Sequence, residues 1–534
     1  MTIPAVMYER VPYFALAVVF ATGLNLDIME VDAAQYASIS LEMLKSGNWL
    51  EVLDRNEDYL DKPPLLFWIT ALSFKLLGVG TWQYKLPSVL FSLLGIFSTF
   101  KLGSLLYSKK IGHRAALIFG SSLAVIMTNN DVKTDTILVS SIVFSIWMMV
   151  AALRTDKLKY FIGAGVGITA AMLTKGPIGL MMPALAIGGH VILKREWHSI
   201  FNLKWFISVL VVAIGLLPMC VGLYQQFGSE GLEFYFWTQS FGRITGESSW
   251  QNDTTPFFFF HVFAWSFLPW TLLGVLGIIA KLKNIRADLS KTNSEFYLIS
   301  GIVLVWLALS LSKFKLPHYI FVVYPLIAIL AAKFLESPKN YSVLAWAQYL
   351  TTLLITALVI FGLIYVFPNG GITVPIIVGV AAVISAVLFF MSYRSSQTFW
   401  PAFVLSIAIG LGMNLHFYPQ LLPYQANAYV GKWVKENKLD DEHFAGFSTG
   451  GRALDFYGGR IIHWLEDVAT VIAEIKPGMV IYANEERRNE LIGRGYRPER
   501  EVVLENFEVQ KLTVEFLNPK TRSQAVKKNY LMFY

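Results

Sequence analysis

Apolar residues in this chain come in blocks of about twenty with few charges inside them, the length an α-helix needs to cross a bilayer. Candidate spans fall near 11–28, 85–107, 115–129, 135–153, 159–173, 177–193 and 205–224, then near 257–280, 296–312, 317–335, 342–366, 372–392 and 399–418. One more apolar run, 63–80, is ambiguous, and whether it crosses sets the orientation of everything after it. If it stays outside, the inner loops hold Lys109, Lys110 and Arg114; Arg154, Lys157 and Lys159; Lys194, Arg195 and Lys204; and Lys281, Lys283, Arg286 and Lys291. That obeys the rule that short cytoplasmic loops collect Lys and Arg, and the alternative breaks it in loop after loop. The pattern therefore predicts about thirteen transmembrane helices, with 63–80 lying along the membrane after Pro63-Pro64. Residues 33–46 make a second interfacial helix, with Tyr36, Ile39, Met43 and Leu44 on one face.

The first helix is expected to be retained, since no small-residue cleavage site follows it. Its inner N-terminus and an odd number of crossings put residues 419–534 outside. There the hydropathy collapses into short apolar runs (VIYA near 480, VVLE near 502, VQKLTVEFL near 509, YLMFY at the end) between Gly and Pro turns. The expectation is a small C-terminal α/β domain, 419–534, beside a transmembrane catalytic domain, 1–418, whose first outer loop runs from about 29 to 84. Its Gly450-Gly451 and Gly458-Gly459 pairs read as turns, and its role as stability or acceptor docking.

Composition agrees: 55% of the 534 residues are hydrophobic and 15% charged. Soluble domains carry about a quarter charged residues. The single cysteine, Cys220, excludes an intramolecular disulfide and a thiolate metal cluster. Net charge is +7, but residues 431–534 hold 16 Lys/Arg and 16 Asp/Glu, so the whole excess belongs to the membrane part and follows topology. Nucleic-acid binding has no support.

With this topology the polar residues gather on the outer face. They are Asp32, Asp61 and Lys62 from the first loop; Asp131, Lys133 and Asp135 from the second; Lys175; Arg243; and Lys313, Lys315 and His318. Ionised groups beside apolar sequence are expensive unless partnered or employed. Each also has a plain structural reading. Asp32 with Gln35 is close to a capping box, and Asp61 before Lys-Pro-Pro reads as a cap. Asp135 would complement a helix dipole, Lys175 could snorkel, and His318 could be interfacial structure. Arg243 has no near carboxylate before Glu247 and no helix end to explain it, which favours anion binding.

Taken in order, DAAQYA (Asp32 to Ala37), DKPPL (Asp61 to Leu65), the Asp135 helix start, TKGP (Thr174 to Pro177), Arg243, FLPW (Phe267 to Trp270) and KLPHY (Lys315 to Tyr319) resemble the protein O-mannosyltransferase-like family. The likeness is closest to its bacterial branch, which includes the lipid A aminoarabinose transferases. It covers nearly the whole chain and implies a GT-C membrane glycosyltransferase taking a sugar from a polyprenyl phosphate at the outer face of the bacterial inner membrane. By this resemblance Asp32 and Asp135 are the catalytic acidic positions, and Lys62 and Arg243, with Lys315, bind the donor phosphate. Asp61, Asp131, Lys175 and His318 support them. Protein mannosyltransferases have Asp-Glu where this chain has Asp32-Ala33, which weakens a protein acceptor and leaves the acceptor side open. Some members of the family hold a metal near the first loop; with no His there in this chain, no cofactor is expected, and a divalent metal is the alternative.

The expected reaction is an inverting transfer to a lipid A-like glycolipid or other envelope glycan, with membrane lipids as surroundings and Trp68, Trp265 and Trp270 along the prenyl path. Alternatives are a protein O-glycosyltransferase of the same family, a polymerase or ligase for lipid-linked saccharides, and a secondary transporter. A transporter would bind at mid-membrane between internal repeats, and the sequence offers neither a repeat nor a mid-span acid.

Overall fold

A computed structural model describes residues 5–242, 254–291, 293–336 and 341–534. The first ten helices are α1 (Ala5–Gly23), α2 (Asp32–Ser46), α3 (Leu65–Leu77), α4 (Thr81–Leu106), α5 (Lys109–Gly120), α6 (Leu123–Asn130), α7 (Thr134–Thr155), α8 (Leu158–Lys175), α9 (Ile178–Lys194) and α10 (Trp205–Glu233). Helices Phe258–Ser266, Thr271–Lys283, Tyr297–Leu311, Tyr324–Phe334, Tyr341–Phe361, Thr373–Met391 and Ser395–Gly412 follow. Each of the thirteen expected segments contains a helix. Among the described residues seven are long and apolar enough to cross a membrane, or eight if α5 and α6, bent by 50°, form one span. The rest are short or broken; the run near 257–280 divides into two helices around Phe267–Trp270.

Packing is tight where small residues face each other. At Gly112 of α5 a Cβ would lie 2.4 Å from the Phe100 carbonyl oxygen of α4, so the two helices close without a side chain between them. A two-residue connection joins α7 to α8, and Lys175 at the end of α8 reaches Asp135 at the start of α7, so the pair is antiparallel.

Both helices expected in the first outer loop form, as α2 and α3. The anticipated one-sided face of α2 is not what holds it, however. Ala33, Ala34, Tyr36, Ala37, Ser38, Ile39, Ser40, Leu41 and Met43 are all buried, because the helix is enclosed by α3 and by a helix of the C-terminal part, Arg452–Gly458. A small hairpin, β1 (Leu53–Asp54) with β2 (Glu57–Asp58), lies between α2 and α3.

Outside the helices stands a five-stranded sheet in the order β4-β3-β5-β7-β6, built from β3 (Phe444–Phe447), β4 (Trp464–Leu465), β5 (Val480–Asn484), β6 (Arg500–Asn506) and β7 (Lys527–Phe533). β3 is parallel to β4 and β5, and β7 is antiparallel to β5 and β6. Alternate residues of a strand point to opposite faces. Phe444, Val480, Tyr482 and Leu531 therefore meet Val430, Val434 and Leu454 on one side, while Phe447, Ile481 and Met532 meet Val471 and Leu491 on the other.

Three expected strands form, but VQKLTVEFL does not. There Thr513 accepts a hydrogen bond from the Phe516 amide and caps a short helix, Val514–Leu517, whose Phe516 is fully buried against Phe507. Trp270 also departs from expectation. It is buried in the helix core, donates to Ser121 Oγ at 3.0 Å and stacks on Phe399, so it is not on a lipid path.

Candidate active site

The first turn of α2 carries Asp32, yet the helix is preceded by Val31 with no side-chain cap. The carboxylate is not used for capping. Its Oδ2 accepts from Lys133 Nζ at 2.9 Å, across from the loop between α6 and α7. Asp61 is no cap either, since α3 starts after Pro64 without one. It pairs with Lys62, and its carbonyl accepts from Gln239.

Asp135, in the first turn of α7, is almost fully enclosed. Lys175 Nζ lies 2.7 Å from its Oδ1 and His318 Nε2 lies 3.5 Å from its Oδ2. The Lys175 ammonium also sits 4.2 Å from the centre of the Tyr319 ring. It is therefore turned inward and does not snorkel. His318, expected as interfacial structure, belongs to the same cluster.

These side chains line one cleft of ≈ 1010 Å³, which Asp32, Asp61, Lys62, Lys133, Asp135, Lys175 and His318 share with neutral Gln35, Tyr36, Tyr59 and Tyr319. Adjoining it is a narrow groove that shares Asp135, Lys175, Phe314 and Tyr319, with walls of Leu138, Ile178, Met181, Met182, Leu309 and Val322. The walls are aliphatic, and neither Trp68 nor Trp265 contributes to them.

Not every expected residue comes to the cleft. Asp131 stands behind it, 3.3 Å from Lys133. Lys315 reaches the Thr254 carbonyl at 3.2 Å, while its neighbours Phe314 and Leu316 face the cleft. Arg243 lies outside the described residues; the chain before it, Phe234–Gly242, passes along the groove through Gln239, whose side chain donates to the Asp61 carbonyl. Among the described residues no three His, Cys, Asp or Glu side chains come together as a metal site. Sequence reasoning missed Gln35, Tyr36, Tyr59, Tyr319 and Gln239, because neutral residues carry no charge to stand out against apolar surroundings.

Electrostatics separates the acids. Burial opposes ionisation of Asp32, but the charge and hydrogen bond of Lys133, with Lys62 and His318, hold its carboxyl below the ordinary value. At Asp131 burial prevails over Lys133 and the carboxyl is pushed up. Lys133 is raised despite its burial by the two carboxylates that flank it.

The chain has counterparts among known proteins. Residues 61–222 match the dolichyl-phosphate-mannose-protein mannosyltransferase family. The undecaprenyl phosphate-alpha-4-amino-4-deoxy-L-arabinose arabinosyl transferase of Edwardsiella ictaluri is 27% identical over 345 residues, 61% of this chain and 59% of its own length. A second such transferase, from Proteus mirabilis, is 24% identical over 60% of this chain and 58% of its own. The match thus spans about three fifths of those relatives. Over 99% of this chain and 98% of the other, the structure superposes on ArnT from Cupriavidus metallidurans bound to undecaprenyl phosphate, with a TM-score of 0.74 at 18% identity. The chain has the GT-C fold. In this GT-C fold the cleft lies where the loop between α1 and α4 meets the ends of α7 and α8.

Proposed function

We propose that the protein is an inverting glycosyltransferase that takes a sugar from a polyprenyl-phosphate donor and passes it to a lipid A-like glycolipid or another envelope glycan. The observation that carries this is the join of a charged cleft to an aliphatic groove. A substrate with a phosphosugar head and a long hydrocarbon tail needs both at once. The names of the relatives support an undecaprenyl-phosphate-linked sugar as the donor class.

In the reaction an acceptor oxygen attacks the anomeric carbon. The bond from that carbon to the phosphate oxygen breaks, and the phosphate leaves with the electron pair as an anion. Its developing charge calls for cations and no proton. Lys62 and Arg243 supply them, a point charge and a bidentate fork respectively, with Lys315 nearby. In a site shielded by lipid and protein such contacts contribute several kcal/mol. Asp32 receives the acceptor's proton or orients its oxygen, and Asp135, fixed by Lys175 and His318, holds sugar hydroxyls. Asp61 and Asp131 set the directions of Lys62 and Lys133.

The same reading has about thirteen crossings, α3 along the outer surface and residues 419–534 as an outer domain on residues 1–418. Loop charge supports it: the cation clusters interlock at the end away from the cleft, for example Lys110 with Glu336 and Lys194 with the Lys291 carbonyl. The test is incubation of purified protein with radiolabelled polyprenyl-phosphate sugars and membrane lipid extract. Label should pass to a lipid or polymer fraction, and Lys62→Ala should abolish the transfer; no transfer by wild type would refute the reaction, and equal transfer by both proteins would refute the role of the cleft.

A further inference from the structure

We propose that Gln510 and Arg452, both in the outer part of the chain, are positioning residues for the cleft, each orienting one side chain of α2 through intermediaries. The proposal rests on the transferase reading and deepens it. Two hydrogen-bonded paths lead from the outer part to the first turn of α2.

In the first, the Gln510 amide donates to both carboxylate oxygens of Asp131 at 3.2 Å. Asp131 lies 3.3 Å from Lys133, and Lys133 donates to Asp32 at 2.9 Å. Gln510 is itself anchored, because its neighbour Val509 is buried in a cluster with Leu26 and Met29. These two residues belong to the segment that leads from α1 into Asp32.

In the second path, Arg452 grips Asp54 with two parallel bonds, Nε to Oδ1 at 2.9 Å and Nη2 to Oδ2 at 2.8 Å. Asp54 accepts from Gln35 Nε2 at 2.8 Å. Gln35 lies three residues beyond Asp32, on the same helical face, and both line the cleft. Bidentate pairing fixes direction as well as distance, which is what a positioning contact requires.

Neither Gln510 nor Arg452 lines the cleft. A merely structural role would lower stability and leave turnover per folded molecule unchanged. A positioning role moves kcat and makes each residue's effect depend on its intermediary.

The experiment uses the full chain in detergent or nanodiscs, with a radiolabelled polyprenyl-phosphate sugar and lipid extract. It compares wild type with Gln510→Ala, Lys133→Ala and their double variant, and with Arg452→Ala, Gln35→Ala and theirs; thermal melting is followed in parallel. For contacting residues the expected loss in kcat is about tenfold for Gln510→Ala and for Arg452→Ala. The donor KM stays within about twofold, and each double variant is no slower than its slower parent. The isosteric Gln510→Glu, which turns a carboxylate toward Asp131, loses at least as much as Gln510→Ala. Single variants that turn over like wild type overturn the proposal, as do double variants whose losses multiply. Asp32→Asn is the control. If wild type transfers sugar and Asp32→Asn is inactive while Gln510→Ala is normal, only positioning fails; if wild type itself transfers no sugar from any donor offered, the transferase reading fails with it.

Discussion

Asp32 and Asp135 line one cleft in different surroundings, and the roles proposed for them differ accordingly. The Asp32 side chain is 45% exposed and opens to whatever enters the cleft, whereas Asp135 is 2% exposed and held between Lys175 and His318. Replacing Asp32 by Asn keeps the shape and removes the base, so kcat should fall by about 10²–10⁴-fold with the donor KM nearly unchanged in steady-state assays. Lys133, Lys62 and His318 face Asp32 and hold its carboxyl below the ordinary value. Activity should therefore persist as pH falls through the usual carboxylate range and be lost only below it. Lys133→Ala should move that acid limb to higher pH, which a pH–rate profile reads directly. Lys175→Ala leaves the Asp135 carboxylate enclosed without its closest cation and should cost about 3–5 kcal/mol in denaturant melts. The acids and lysines were legible in the sequence, since ionised groups stand out against apolar runs. Which carboxylate is exposed, and which lysine serves which acid, depends on helix ends meeting in space, and no spacing along the chain encodes that.

At the scale of elements, the loop between α1 and α4 is fastened to the sheet-bearing part of the chain as well as to the bundle. Glu30 accepts from Asn427 and from the Ala453 amide, and Arg55 pairs with the buried Asp455 at 2.5 Å. Arg55→Ala should destabilise the protein by about 3 kcal/mol, because it strands a carboxylate that is 1% exposed. Burial already holds the Asp455 carboxyl above its ordinary value. The deficit should therefore shrink as pH falls and the stranded group protonates, as thermal melts at several pH values would register. Helical blocks were readable from apolar length alone. Strands β5, β6 and β7 were readable from short apolar runs between turns. Phe444–Phe447 was not, because four wholly buried residues carry no alternation, and Val514–Leu517 went to a helix because Thr513 caps it.

Over the whole molecule, charges divide between two ends: lysine-rich loops at one, the cleft and the sheet at the other. With Cys220→Ser as background, an impermeant thiol reagent added outside intact cells should label Glu436→Cys and spare Lys157→Cys; the reverse pattern would invert the topology. Fold and site both serve one claim, that the cleft breaks the bond between a sugar and a polyprenyl phosphate. The most direct measurement is a single-turnover time course of radiolabelled sugar leaving preloaded polyprenyl phosphate in the presence of acceptor lipid, for wild type and Asp32→Asn. The account predicts rapid transfer by wild type and a rate about 10²-fold or more lower in the variant with donor still bound. Equal rates in the two proteins, or no loss of sugar from bound donor in either, would contradict it.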